Sequence, residues 1–239
     1  QKPRLEELMR ADWMGIAGLA LGLGGLTVVL EEGQREQWFE SREIVLLSCM
    51  SALGFALLIA GQIFAHRPVI KLKLLLDRQF GAVAMMGFVI GMMLYGTAFV
   101  IPQFLAAIAD YNALQSGKIV LLSGIPSLLL MPFTPFVIRH LDIRFAVAAG
   151  LLTMATSCWI DTVLTADAAG ADFVHSQLLR GIGSIFGFLF LNQAAIASAS
   201  KEDAGDAAGL FNAVRNLGGS FALAGIAVVQ DQRLWLHSR

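Results

Sequence analysis

Seven apolar stretches dominate this chain of 239 residues, and its charges gather between them. They run at about 13–31, 43–65, 80–108, 118–138, 145–164, 173–199 and 207–229. A hydrocarbon core is crossed by roughly 20 apolar residues in a helix, and each stretch is about that long or longer. None alternates apolar and polar residues as a membrane β-barrel strand does. Within lipid, every backbone donor and acceptor must be satisfied inside the segment, which leaves the helix. The sequence therefore predicts an all-α fold, a polytopic transmembrane helix bundle. Composition agrees, since 56% of residues are hydrophobic and 15% charged, against about 25% charged in a soluble domain.

Charge placement excludes some functions and orients the bundle. A net charge of −1 supplies no basic field for nucleic acid. Lys2, Arg4, Arg10, Arg67, Lys71, Lys73, Arg78, Arg139, Arg144 and Lys201 fall in alternate loops, whereas the opposite loops hold only Arg35, Arg42 and Lys118. By the positive-inside tendency the amino end is cytoplasmic, in the inner or plasma membrane. Cys49 and Cys158 lie inside spans, which argues against a disulfide framework. His66, His140, His175 and His237 are dispersed at span ends and loops, so neither a metal site nor a cofactor is expected. No mid-span lysine in the last helix suits a retinal pigment, and no His-Glu-x-x-His or Gly-x-Ser-x-Gly string suits an intramembrane enzyme.

Three features describe the interior. Residues His66–Gln79 mix cations with leucines and read as an amphipathic helix along the headgroups, dividing two spans from the following five. Gly18 and Gly22, Gly87 and Gly91, and Gly183 and Gly187 each stand four apart, and Gly218 and Gly219 are adjacent. Small residues at such spacing let helix backbones approach where lipid gives no hydrophobic drive for packing. Pro126, Pro132 and Pro135 fall within one span and predict a bent or broken helix, either lining a pathway or merely kinked in its packing.

Ionisable residues at membrane depth are costly and become functional candidates. Arg180 shares a helical face with Gln177, Ser184 and Gly187, and either gates a cavity or pairs with Asp161, Asp172 or Asp110. Arg215, with Asn212 and Asn216 near its face, either gates the inner mouth or pairs with Asp203 or Asp206. Tyr95, Gln103, Trp159, Asn192 and Gln193 are further cavity-lining candidates. No Asp or Glu occupies the middle of any span, so a titrating intramembrane acid, if one operates, is expected outside this chain.

Particular strings then carry a resemblance. Pro102-Gln103-Phe104-Leu105 leads into Asp110-Tyr111-Asn112-Ala113-Leu114-Gln115-Ser116-Gly117, where Asp110 replaces a glycine of the family pattern. The last span holds Gly209-Leu210-Phe211-Asn212-Ala213-Val214-Arg215-Asn216-Leu217-Gly218-Gly219-Ser220, with Asn216 in place of a glutamine. Arg180-Gly181-Ile182-Gly183 and Asp12-Trp13-Met14-Gly15 match two further strings. Together these resemble the later half of the fourteen-helix drug:proton antiporters of the major facilitator superfamily, the EmrB/QacA-like branch. The resemblance implies that residues 1–66 form two additional central helices, 67–79 a cytoplasmic linker, and 80–239 five of the six helices of a carboxyl-terminal bundle. It implies proton-coupled export of amphipathic compounds by a rocker switch. A missing amino-terminal half, the bilayer, protons and a small amphipathic substrate would be its partners, with a periplasmic adaptor as a further candidate. Export of one metabolite such as a siderophore, or a non-transporting scaffold or sensor role, are the alternatives.

Overall fold

Glycine decides how the first two helices meet. In a computed structural model describing residues 12–64, 70–165 and 168–237, α1 (Trp13–Glu32) and α2 (Arg42–Phe64) form an antiparallel hairpin. A Cβ added at Gly18 would lie 2.5 Å from the Leu58 nitrogen, and one at Gly54 would lie 2.3 Å from the Gly22 nitrogen. The order continues with Gly15 near Gly61 and Gly25 against Ser51, and the Ser51 hydroxyl donates to the Gly22 carbonyl at 2.7 Å. Asp12 caps α1, its carboxylate accepting from the Gly15 N–H at 2.7 Å. Gly15 and Gly61 leave the room that this buried carboxylate fills.

The connection that follows corrects an expectation. Residues 65–69, the start of the segment read as an amphipathic helix, lie outside the described residues. From Ile70 onward there is no regular interfacial helix, only one 3-10 segment, Leu72–Leu76. Ile70 is buried in the main core, where Leu72 and Leu74 also pack, so these three side chains face protein while Leu75 and Leu76 are exposed. Asp77 then accepts from the Gln79 and Phe80 N–H groups, capping α3 (Arg78–Ile108) and drawing Arg78 and Gln79 into it.

The fourth predicted span is a train of short pieces: α4 (Ala113–Leu121), α5 (Gly124–Leu130), the 3-10 turn Met131–Phe133, and α6 (Thr134–His140). Each proline sits in the first turn of a new piece, where its missing N–H costs no intrahelical bond. The broken helix expected from Pro126, Pro132 and Pro135 is therefore present. At the turn into α4, Asp110 adopts a left-handed backbone with φ of 53°, which explains why glycine suits that position. Asp110→Val is expected to lower stability by about 1–2 kcal/mol, and Asp110→Gly to lower it not at all. Thermal unfolding of the two variants checks this.

Beyond it run α7 (Ile143–Thr162), α8 (Val174–Ser184), a π-helical turn (Ile185–Leu189), α9 (Phe190–Ala197) and α10 (Ala204–His237). Gly150 of α7 and Gly187 of the π turn meet backbone to backbone, a Cβ on Gly150 lying 2.4 Å from the Gly187 nitrogen. Gly183 admits Met154 in the same seam. Among the described residues six helices or helix trains are long and apolar enough to cross a membrane. The seventh predicted stretch, within α10, is not among them, although α10 has 34 residues; Asn212, Arg215, Asn216 and polar residues from Gln230 onward dilute it.

Packing nevertheless places α10 in the same layer as α3. Gly87 contacts Phe211, Gly91 contacts Arg215, Tyr95 contacts Gly219, and Gln103 bonds Gln230. Both series rise together, so the helices are parallel, as the third and seventh spans of an alternating bundle must be. From Gly87 to Gln103 is about 24 Å along the axis at 1.5 Å per residue, most of a hydrocarbon core. The hairpin joins this pair through the Ser220 hydroxyl, which donates to Glu31 Oε1 at 3.1 Å.

Candidate functional site

Arg180 is an arginine of an apolar bundle with only 5% of its surface exposed. A buried ion loses several kcal/mol of hydration and needs a counter-charge in good geometry. Its Nη2 donates to Asp161 Oδ2, near the carboxyl end of α7, in a close ion pair. Of the three expected acids, Asp161 is the partner. Asp172 instead accepts from the Ala169 N–H at 2.8 Å, and Asp110 forms the turn described above. The α7–α8 seam that carries the pair is further fixed by Ser157, whose hydroxyl donates to the Ser176 carbonyl at 2.8 Å.

Two cavities flank the pair. The smaller, about 140 Å³, is lined by Leu94, Thr97, Ser123, Gln177, Arg180 and Ser184 among others. Gln177 is 1% exposed and its Nε2 has no hydrogen-bond partner among the described residues. Ser184 thus reaches a cavity as expected; its hydroxyl and that of Ser127 both donate to the Gly181 carbonyl at 2.9 Å. Gly181 itself allows α5 to approach, since a Cβ there would lie 2.1 Å from the Ser123 oxygen. The larger cavity, about 330 Å³, holds Asp161 in an otherwise uncharged wall running from Met92 to Phe104 and on to Phe173 and Ile226.

Arg215 corrects a second expectation. It pairs with neither Asp203 nor Asp206. Its guanidinium lies 4.4 Å from the centre of the Phe188 ring, a cation–π contact, and donates to Asn216 Oδ1 at 3.2 Å. The same oxygen accepts from the Tyr95 hydroxyl at 3.2 Å. Asp203 is taken by Lys71, across the chain. Phe188 was not among the sequence candidates; its position one turn after Ser184 on the arginine-bearing span was the available signal.

The remaining candidates separate. Gln103 accepts from Gln230 Nε2 at 2.8 Å and lines a cavity with it. Asn212 bonds the Ala208 carbonyl of its own helix at 2.9 Å. Asn192 Oδ1 is buried without a partner among the described residues, and Gln193 is half-buried. Trp159 is 73% exposed on the outer surface of α7 and lines no described cavity. An apolar wheel position does not distinguish lipid from interior, and here it faces outward. No group of metal-ligating side chains occurs among the described residues.

The Lys71–Asp203 contact was absent from the sequence expectations. The hydrogen bond to Asp203 raises Lys71 above its ordinary pKa, and bonds from Lys71 and Ser200 hold Asp203 below its own. Because Asp203 is depressed, its contribution is present at neutral pH and lost as pH falls through the lowered value. Lys71 is raised, so its contribution is lost as pH rises through the higher value. The 70–77 loop is therefore expected to resist pepsin at about pH 5, above an ordinary Asp pKa of about 3.9, and to become cleavable only in stronger acid. Asp203→Asn should be cleaved at both.

A membrane bundle with glycine seams, a broken fourth helix and a buried inter-helix ion pair suits a helical transporter fold, and one comparison decides the family. The profile of the Major Facilitator Superfamily matches residues 10–223. The chain belongs to the Major Facilitator Superfamily. Within that superfamily it is 28% identical over 225 residues to the colistin resistance protein EmrB of Acinetobacter baumannii, covering 94% of this chain and 43% of that protein. It is 26% identical over 234 residues to the multidrug export protein EmrB of Escherichia coli K12, covering 97% and 45%. The fatty acid resistance protein FarB of Neisseria gonorrhoeae is 27% identical over 229 residues, covering 95% and 45%. The chain thus spans less than half the length of these relatives. It is a multi-pass membrane protein of the superfamily, with EmrB-type relatives.

Proposed function

We propose that this chain is most of the carboxyl-terminal half of a proton-coupled antiporter that exports amphipathic compounds by a rocker switch. The buried Arg180–Asp161 pair carries the reading. It ties α7 to α8 beside two cavities, and an ion pair inside an apolar bundle has few purely structural advantages over apolar packing. The EmrB-type relatives support it, because their names attach multidrug export and resistance to this kind of bundle. In this reading the amino end of the chain is cytoplasmic in the inner membrane. Arg180 acts near the outer mouth, Arg215 near the inner one, and the proton-titrating acid belongs to the other half. Periplasmic hand-over through an adaptor is part of the same proposal.

A second reading, export of one metabolite, is favoured by a relative named for cephamycin export in Amycolatopsis lactamdurans, 27% identical over 232 residues. Dye and drug efflux from cells carrying the full-length protein at equal membrane expression tests the main proposal. Arg180→Gln and Arg215→Gln are expected to reduce efflux at least tenfold, with Lys less damaging at Arg180 than at Arg215, where the planar guanidinium stacks on Phe188. Unchanged efflux in both would reduce the arginines to packing residues. Protection against a single compound alone would favour the metabolite reading.

A further inference from the structure

We propose that Glu31 is a proton-binding site of the exchange cycle, a carboxylate held at the mid-level of the bundle whose protonation releases the Ser220 hydroxyl. This rests on the exchange reading, and it adds a second titrating group to the acid that reading assigns to the other half.

Glu31 stands in the last turn of α1, so its own helix puts it at a span end. Its neighbours put it deeper. Ser220 Oγ, which donates to Glu31 Oε1 at 3.1 Å, follows Gly219, and Gly219 lies against Tyr95. Tyr95 is about 25 Å from the start of α3 and about 20 Å from its end, at 1.5 Å per residue. Past Ser220, α10 stays apolar through Val229, about a further 14 Å. Thus α1 ends while α3 and α10 continue, and its carboxylate meets α10 at the middle of the apolar layer.

A permanent charge at that level is costly, and no cation offsets this one. Among the described residues Glu31 has no ion-pair partner. Beside it on α1, Glu32 is held by Arg35. Arg42 and Glu43 open α2 in the same hairpin, and neither bonds it. Arg215 of α10 lies on Phe188 and Asn216, and Tyr95 of α3 is bonded to Asn216. The Glu31 side chain is exposed, and the 33–41 connection beyond it carries exposed Arg35, Glu36, Gln37 and Glu40. In the exchange reading that polar mouth faces outside, the side from which protons arrive.

Ser220 gives protonation a consequence. Its hydroxyl has one proton and two acceptors in reach, Glu31 Oε1 and the Asn216 carbonyl at 3.4 Å on its own helix. Against ionised Glu31 the cross-helix bond is charge-assisted and is the stronger of the two. When an arriving proton forms an O–H bond on Glu31, that advantage is gone. The Ser220 hydroxyl then turns to Asn216, and α1 loses this tie to α10. Asn216 is also the residue whose side chain holds Tyr95 and Arg215. The proton leaves Glu31 toward the cytoplasm once the bundle has turned, and that O–H bond is the only one made or broken.

Dicyclohexylcarbodiimide, an apolar reagent that adds to protonated carboxyl groups, reads the site without any transport. Full-length protein in liposomes is treated at neutral pH, and adducts are located by mass spectrometry. Glu31 is expected to be labelled roughly tenfold or more above Glu32 and Glu36, less as pH rises, and far less by a water-soluble carbodiimide. Glu31→Gln should keep exchange of labelled for unlabelled ethidium at equal pH, yet lose roughly tenfold or more of the accumulation driven by a pH difference. Glu32→Gln should keep both. Unlabelled Glu31, equal labelling of Glu32 and Glu36, or a Glu31→Gln variant that loses both activities or neither would each overturn the proposal. Wild-type exchange of ethidium that ignores a pH difference would instead sink the exchange reading, and this site with it, so the two failures are told apart.

Discussion

Arg180→Gln is expected to destabilise the protein by about 3–5 kcal/mol, the usual cost of leaving one member of a buried ion pair uncompensated. Asp161 would then hold a negative charge against an apolar wall with no other ion-pair partner among the described residues. Asp161→Asn should cost a similar amount from the other side, because Arg180 is the more buried partner. The double variant Arg180→Met, Asp161→Leu should recover most of the loss, since both charges leave together. Thermal unfolding of the purified full-length protein, arranged as a double-mutant cycle, reads the coupling directly. Additive single losses would mean that the pair is not the unit described. Function should separate from stability in this series, with the double variant folded yet poor in efflux.

The second large effect lies where α3 meets α10. A Cβ on Gly91 would stand 1.9 Å from the Arg215 carbonyl oxygen, and one on Gly218 would stand 2.1 Å from that of Phe88. Neither obstacle is the end of a flexible side chain, so the helix axes themselves must separate. Gly91→Leu and Gly218→Leu are each expected to cost about 1–3 kcal/mol or more by overpacking, and to abolish efflux by displacing Arg215 from Phe188. Gly24 and Gly225 provide the control, since an added Cβ there meets nothing within 4 Å. Alanine at either should leave efflux intact and raise stability slightly through helix propensity. Folded yield and dye efflux of the four variants decide the matter. A tolerated Gly91→Leu would contradict the parallel seam.

What could be read beforehand followed from the solvent. Hydropathy placed the first six spans to within about five residues because a bilayer leaves a chain little choice, whereas the seventh, read as 207–229, lies in a helix that runs on to His237 and is not among the membrane-crossing ones. The prolines foretold the broken fourth helix, and glycines four apart marked seams that exist at Gly18, Gly87 and Gly183. Rotation of each helix about its axis was harder. Three acids lay at the level of Arg180, and only the packing of α7 on α8 selects Asp161. Of the two acids expected for Arg215, Asp203 was already held by Lys71, at a sequence separation of 132 residues, which no local pattern announces. Trp159 turned outward for the same reason, since lipid and protein interior are equally apolar. The π turn at Ile185–Leu189 had no sequence signal beyond its glycine.

The central claim is that this bundle belongs to a machine exchanging protons for amphipathic compounds. Full-length protein in liposomes enclosing a pH-sensitive dye tests it most directly. A substrate gradient imposed without any pH difference should drive proton movement in the opposite direction, sharply reduced in Arg180→Gln. Substrate movement with no accompanying pH change, or no movement from a correctly folded protein, would contradict the account.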